Sequence, residues 1–119
     1  WLRESDAPRI VNIASTEGLG ATPGDTPYVA AKTGVIGLTR GLAVDLGPEG
    51  ITVNCICPGN IPTEMGTYAH TPGMSEAKAA RIGEAIRGAR MDWQPLKRQG
   101  SPRDIAEAFT AAGLELSNG

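Results

Sequence analysis

Two residues four positions apart carry the most suggestive chemistry in this sequence. Tyr28 and Lys32 lie about one helical turn from each other if the segment around them is a helix, so both side chains project from one face. An ammonium next to a phenol favours the phenolate, which would let the tyrosine accept and donate protons near neutral pH. A pair at this spacing also arises by chance, and a tyrosine at a helix start often serves only packing. The surrounding elements therefore decide how the pair is interpreted.

Those elements are a strand, a helix and a second strand. The β-rich run 9–15 predicts a buried strand, which a loop rich in Gly, Thr and Pro follows. Thr26 as a cap and Pro27 in the first turn predict a helix that ends near Leu46. The run 51–57 predicts the second strand. A crossover of this length joins parallel strands, so the predicted fold class is α/β, built on a βαβ unit.

Two further helices are predicted after the second strand. Ser75 can cap a helix over 75–87, whose thin apolar content indicates a position on the surface. Ser101 and Pro102 begin a last helix, whose apolar face consists of Ile105, Ala108, Phe109 and Ala112. Two parallel strands need neighbours, and a doubly wound sheet of the Rossmann type has about six strands. The chain is therefore predicted to be part of such a sheet.

The helix that carries Tyr28 has two stripes of residues at helical spacing. The apolar stripe consists of Ala31, Val35, Leu38 and Leu42. The second stripe has almost no side chains and consists of Ala30, Gly34, Gly37 and Gly41. Each Gly lowers helix propensity by roughly 1 kcal/mol, so the stripe indicates that another backbone packs closely against it. Packing on the protein's own sheet and a subunit interface are equally compatible with this pattern.

A serine is predicted to lie close to the Tyr28 and Lys32 pair. Ser15 ends the first predicted strand, and Tyr28 lies near the N-terminus of the helix that follows. In open parallel sheets this edge is where ligands bind, and the second strand delivers the segment 58–63 to the same edge. The sequence therefore predicts a crevice in which a hydroxyl, a phenol and an ammonium converge.

With these segments in this order, the sequence resembles the classical short-chain dehydrogenases/reductases. The matching segments are the run 10–15 with Gly18, Tyr28-x-x-x-Lys32 thirteen residues after the serine, Val53-Asn54 leading to Pro58-Gly59-x-Ile61-x-Thr63, and the run 101–106. Their order and spacing resemble the C-terminal, catalytic half of the family's domain.

The resemblance implies an oxidoreductase that transfers a hydride between NAD or NADP and a secondary alcohol or ketone. Tyr28 would be the general acid/base, Ser15 would polarise the substrate oxygen, and Lys32 would favour the phenolate and bind the nicotinamide ribose. The other implied cofactor contacts are Pro58, Gly59, Ile61 through its backbone and Thr63 through its hydroxyl. The resemblance also implies that the complete protein is a homotetramer or homodimer, and we expect it in the cytoplasm.

Parts of the family's pattern are absent from these 119 residues. The sequence has no G-x-G-x-x-G turn after a first strand, no residue that selects NAD over NADP, and no closing strand after the last helix. We therefore expect residues 1–119 to be the C-terminal catalytic part of one Rossmann-type domain, inactive without the N-terminal nucleotide-binding half. The alternative is a non-catalytic relic or structural module of the same fold that binds no cofactor.

Composition argues against several other classes of protein. With 11 Lys and Arg against 13 Asp and Glu, the chain offers no basic surface for nucleic acid or an anionic membrane. No apolar stretch approaches the roughly 20 residues that cross a bilayer. Only 23 of the 119 residues are Leu, Ile, Val or Phe, which is the thin core expected of half a sheet. Cys55 and Cys57 share one face of the second strand and predict buried free thiols in a reducing cytosol.

Four residues keep two interpretations each. Glu17 and His70 are each a substrate contact or a solvated loop residue, and the loop interpretation is the simpler one. Met91 and Trp93 line a substrate pocket or anchor the packing of the segment around them. A single His without a partner ligand argues against a catalytic metal.

Overall fold

The elements that position the predicted site follow the expected order. A computed structural model describes residues 1–63 and 73–111, without the side chains of Arg90 and Trp93. The helices and strands are β1 (Arg9–Ile13), α1 (Thr26–Leu46), β2 (Thr52–Ile56), α2 (Glu76–Trp93) and α3 (Pro102–Ala111), with 3₁₀ turns at Leu2–Glu4, Thr16–Gly18 and Gly47–Glu49. The described residues form two compact units, residues 1–59 with the chain from Ile105, and residues 60–104. The α/β class is confirmed.

The two strands pair in parallel, as the long crossover requires. Their register places Ile13 beside Ile56. Hydrogen bonds continue past both strand ends, from Ala14 N to the Ile56 carbonyl at 2.8 Å and from Thr16 N to the Pro58 carbonyl at 3.0 Å. The strands are each two residues shorter than predicted, but backbone hydrogen bonds join the two segments over almost the whole predicted length.

The buried face of α1 differs from the predicted apolar stripe. Helix α1 contacts both strands, and its buried residues are Ile36 and Thr39. In the predicted stripe, by contrast, Leu38 is 55% exposed, Ala31 is also exposed, and Val35 and Leu42 are half-buried. Among the described residues, the apolar stripe is therefore not the buried face of the helix.

A buried polar contact explains the difference. The Thr39 hydroxyl accepts a hydrogen bond from Asn12 Nδ2 at 2.9 Å and donates one to the Val35 carbonyl at 2.8 Å. Both partners of the threonine are therefore inside the protein, which removes the penalty for burying its hydroxyl. A prediction that counts only apolar residues does not place a threonine such as Thr39 on the buried face of a helix.

The small-residue stripe of α1 is open in this structure. Among the described residues, no atom lies within 4 Å of a Cβ added at Gly34, Gly37 or Gly41. The stripe therefore does not pack on β1 or β2, and the subunit interface stays a prediction.

Both ends of α1 lie where the sequence predicts them, but the cap does not. Thr26 is the first helical residue, Pro27 occupies the first turn, and the cap position belongs to Asp25, whose side chain makes no capping hydrogen bond. The predicted role of Thr26 as the cap is therefore wrong.

Helix α2 begins as predicted and continues past residue 87 to Trp93. The Ser75 hydroxyl accepts a hydrogen bond from Lys78 N, which confirms the predicted cap. Ala89, Arg90 and Met91 have high helix propensity and favour the extension, although Gly88 at its start disfavours it. Lys97 Nζ donates to the carbonyls of Met91 and Asp92 at 3.0 and 2.8 Å and stabilises the end of the helix.

Helix α3 begins with a reciprocal cap. The Ser101 hydroxyl accepts from Asp104 N at 3.3 Å, while Asp104 Oδ2 accepts from Ser101 N at 2.6 Å and from the Ser101 hydroxyl at 2.7 Å. These bonds from Ser101, with a smaller effect of Arg98, hold the pKa of Asp104 below its ordinary value. Ile105, Ala108 and Phe109 are half-buried as predicted, and Ala112 lies outside the described residues.

Ser101→Ala is expected to lower the free energy of unfolding by about 1 kcal/mol at neutral pH, because it removes this cap. A carboxyl with a depressed pKa in the folded state stabilises the fold above its unfolded pKa, and that contribution is lost as pH falls through the folded value. Urea unfolding at pH 7 and at pH 3 should therefore show a smaller acid loss in Ser101→Ala than in the wild type. Ser5→Ala, at an exposed serine outside the long helices, is the control. Equal acid losses in Ser101→Ala and the wild type would contradict this account of the cap.

Candidate active site

Ser15 lies at the carboxyl end of β1, where the sequence places it. The residue caps the turn Thr16–Gly18 and is 8% exposed. Its Oγ accepts a hydrogen bond from Glu17 N at 3.2 Å. A hydroxyl that accepts one bond can still donate its proton, and a residue that polarises a substrate oxygen would donate in this way.

Tyr28 and Lys32 form the predicted pair on one face of α1. Lys32 Nζ lies 5.6 Å from the centre of the Tyr28 ring, a distance within the range of a cation–π contact. The same ammonium donates to the Ile13 carbonyl at 3.1 Å. Lys32 thus joins the tyrosine to the end of the strand that leads into Ser15. Tyr28 is 39% exposed.

Gly18 fixes the turn after Ser15 against α1. A Cβ at this position would lie 2.8 Å from Ile36 Cδ1 and 2.9 Å from both the carbonyl carbon and oxygen of Lys32. Thr33 Oγ1 donates to the Gly18 carbonyl at 3.3 Å. Only glycine allows the turn and the helix backbone to approach so closely. The sequence places Gly18 in a motif but does not show this reason for the glycine, because the contact joins segments distant in sequence.

The segment that follows β2 divides between the two units. The Pro58 carbonyl accepts from Thr16 N, and a Cβ added at Gly59 would lie 4.0 Å from Thr16 Cγ2, so both residues lie beside the Ser15 turn. Ile61 and Thr63 belong to the second unit. There, Ile61 packs against the backbone of Gly100, and the Thr63 side chain is exposed.

The structure corrects the interpretation of Glu17 and leaves those of His70, Met91 and Trp93 untested. Glu17 is half-buried: its Oε1 accepts from Thr22 Oγ1 at 2.8 Å, and its Oε2 is buried without a partner among the described residues. The expectation of a solvated loop glutamate is therefore wrong. Met91 is half-buried, whereas His70 and the side chain of Trp93 lie outside what the structure describes.

The two cysteines are free, as predicted, but half-buried rather than buried. Burial raises the pKa of the Cys57 thiol, and the neighbouring Cys55 raises it further. A thiol that resists ionisation is a poor nucleophile, which argues against Cys57 as a reactive group. Within the two described ranges, no cluster of three or more His, Cys, Asp or Glu could hold a metal ion. No described helix is long and apolar enough to span a bilayer.

Comparisons with known proteins identify the family of this chain. A family model described as enoyl-(acyl carrier protein) reductase matches residues 2–114. The (2S)-[(R)-hydroxy(phenyl)methyl]succinyl-CoA dehydrogenase subunit BbsD of Thauera aromatica is 45% identical over 106 residues, which cover 89% of this chain and 37% of that protein.

Two solved structures share the fold and contain nicotinamide cofactors. The structure of 4-hydroxyisoleucine dehydrogenase complexed with NADH matches with a TM-score of 0.70 at 33% identity. The match covers 92% of this chain and 39% of that protein's chain. An ElxO variant with NADPH bound matches with a TM-score of 0.71 at 29% identity. The match covers 98% of this chain and 43% of the ElxO chain. This chain thus spans about two fifths of each of these relatives. The similarity confirms the Rossmann-type α/β architecture, and the chain belongs to the short-chain dehydrogenase/reductase family.

Proposed function

We propose that the complete protein is an NAD(P)-dependent oxidoreductase acting on a secondary alcohol or ketone, with Ser15, Tyr28 and Lys32 as its catalytic set. Residues 1–119 would be its C-terminal catalytic part. The observation that carries the proposal is the position of Lys32, which lies over the Tyr28 ring and binds the Ile13 carbonyl at the end of β1. The names of two relatives, both dehydrogenases of hydroxylated compounds, support the substrate class.

The three side chains would divide the work on one substrate oxygen. In alcohol oxidation, Tyr28 as phenolate accepts the proton of the substrate hydroxyl, and in ketone reduction it returns that proton. The positive charge of Lys32 stabilises the phenolate. Ser15 donates a hydrogen bond to the substrate oxygen and stabilises the negative charge that develops on it. The nicotinamide, when bound, supplies the site that accepts or gives the hydride.

The residues at this edge fit one end of a nicotinamide cofactor. An ammonium has three donors, and Lys32 gives one to the Ile13 carbonyl, so two remain for the ribose hydroxyls. Gly59 is exposed and has no side chain to obstruct a ring beside it. The family resemblance assigns Pro58, Ile61 and Thr63 to the remaining nicotinamide contacts. The sequence holds no glycine-rich phosphate turn, so the rest of the cofactor would bind outside these residues.

Lys32→Met in the complete protein is expected to weaken binding of NADH or NADPH about tenfold or more. Hydrogen bonds to charged groups contribute about 1.5–3 kcal/mol, and 1.4 kcal/mol is a factor of ten in affinity. Nicotinamide fluorescence titration measures the Kd. Lys78→Met, at an exposed position on α2, should bind like the wild type.

Two results of this titration would contradict the proposal. Unchanged affinity in Lys32→Met would remove Lys32 from the cofactor site. If the wild type binds neither NADH nor NADPH, the alternative of a non-catalytic module would replace the proposed oxidoreductase.

The complete protein is also proposed to assemble and to work in a reducing compartment. The open stripe of small residues on α1 would suit close packing in a homodimer or homotetramer. The two free cysteines support a cytoplasmic location, where thiols stay reduced.

A further inference from the structure

We propose that the hydrogen bond between Thr22 and Glu17 is a brace that positions the Ser15 hydroxyl for the reaction. This inference rests on the proposed function, since it assigns Glu17 and Thr22 as positioning residues for a catalytic serine. Neither residue is needed to touch the substrate.

The brace and the serine are linked through one residue. Glu17 N donates to Ser15 Oγ at 3.2 Å, and Glu17 Oε1 accepts from Thr22 Oγ1 at 2.8 Å. Thr22 lies in the loop that leads from the Ser15 turn to α1. The backbone of Glu17 therefore holds the serine hydroxyl, while its side chain is held by the loop that precedes the Tyr28 helix.

The hydrogen bond from Thr22 matters for the position of the Glu17 side chain, because Glu17 is half-buried. Its Oε2 is out of water and has no partner among the described residues, so the carboxylate is held inward against a desolvation penalty. The Thr22 hydroxyl supplies the hydrogen bond that the structure shows to this carboxylate. Without the hydroxyl, Oε1 would keep only solvent as a partner, and we expect the side chain to turn out to water and displace its own backbone.

Gly18, at the other end of the turn, has no room to move with Glu17. Gly18 is fixed against the backbone of Lys32, and its carbonyl accepts from Thr33 Oγ1. Movement of Glu17 would therefore displace its N–H and weaken the hydrogen bond to Ser15 Oγ. A misdirected donor affects charge that develops in the transition state more than it affects substrate binding, so the brace should act on kcat rather than on KM.

Three threonine variants of the complete protein test the brace in steady-state kinetics. Thr22→Val keeps the shape and removes the hydroxyl, and we expect kcat to fall about tenfold with KM within about twofold. Thr22→Ser keeps a hydroxyl and should restore most of kcat. Thr110→Val makes the same chemical change on α3, where the hydroxyl donates to the Ala106 carbonyl, and should leave kcat unchanged. An equal loss in Thr22→Val and Thr22→Ser, or no loss in Thr22→Val, would overturn the proposal.

Amide hydrogen exchange supplies a readout that needs no turnover. The Glu17 and Gly18 amides donate to Ser15 Oγ and to the Ser15 carbonyl. Both should exchange faster in Thr22→Val than in the wild type, and at the wild-type rate in Thr22→Ser. Unchanged exchange in Thr22→Val would overturn the brace even in an active enzyme. Faster exchange in Thr22→Val, together with a wild type that turns over no alcohol, would keep the brace and reject the proposed function instead.

Discussion

Tyr28→Phe in the complete protein is expected to lower kcat about a thousandfold and to leave the fold intact. The change removes the proton-transferring hydroxyl, and general acid–base catalysis typically contributes 10²- to 10⁴-fold. The ring remains, so Lys32 keeps its position over an aromatic face 5.6 Å away. Absorbance of the reduced nicotinamide measures the rate, and thermal unfolding measures the stability.

The cofactor serves as the internal control for this variant. Tyr28→Phe should bind NADH or NADPH with nearly wild-type affinity, because Lys32 retains its ammonium and its bond to the Ile13 carbonyl. Loss of turnover with retained cofactor binding assigns the defect to the proton-transfer step. A variant that keeps more than about a tenth of the wild-type kcat would exclude Tyr28 as the acid/base.

Gly18→Ala is expected to lower the free energy of unfolding by about 1–3 kcal/mol, the usual range for overpacking. The new methyl group would lie 2.9 Å from the carbonyl carbon and oxygen of Lys32. A side chain such as Ile36 can move its terminal methyl group, but the helix backbone cannot shift without disturbing Lys32 itself. Urea unfolding measures the loss, and kcat should fall with it because the Ser15 turn moves.

A nearby glycine provides the matched control. A Cβ at Gly20 has one neighbour within 4 Å, the Thr16 carbonyl oxygen at 3.9 Å, which is ordinary contact. Gly20→Ala should therefore leave both stability and kcat close to wild type. If the two alanine variants lose the same stability, the close approach of Gly18 to α1 is not what fixes the turn.

The sequence was sufficient for the features that depend on local chemistry. The bounds of α1, the parallel pairing of β1 and β2, and the Ser75 and Ser101 caps follow from strand composition, cap residues and the length of the crossover. The placement of Tyr28 beside Lys32 follows from helical spacing alone.

The features that were missed depend on contacts between distant segments. Thr39 is buried because Asn12, 27 residues earlier, supplies its donor. Gly18 is required because Lys32 approaches it. Glu17 is half-buried because the loop folds Thr22 onto it. Hydropathy patterns carry no information on such pairs, since each residue alone is typical of a loop or a solvated helix face. The roles of Ile61 and Thr63 depend on the family resemblance alone.

The central claim is that this chain carries the proton-transfer side of a hydride transfer. The most direct measurement supplies the complete protein with NAD or NADP and a panel of secondary alcohols deuterated at the carbinol carbon, and detects deuterium in the nicotinamide by mass spectrometry. The account predicts labelled nicotinamide with the wild type and none above background with Tyr28→Phe over the same time. Folded, cofactor-binding wild type that transfers no deuterium from any alcohol, or Tyr28→Phe that transfers it at the wild-type rate, would contradict it.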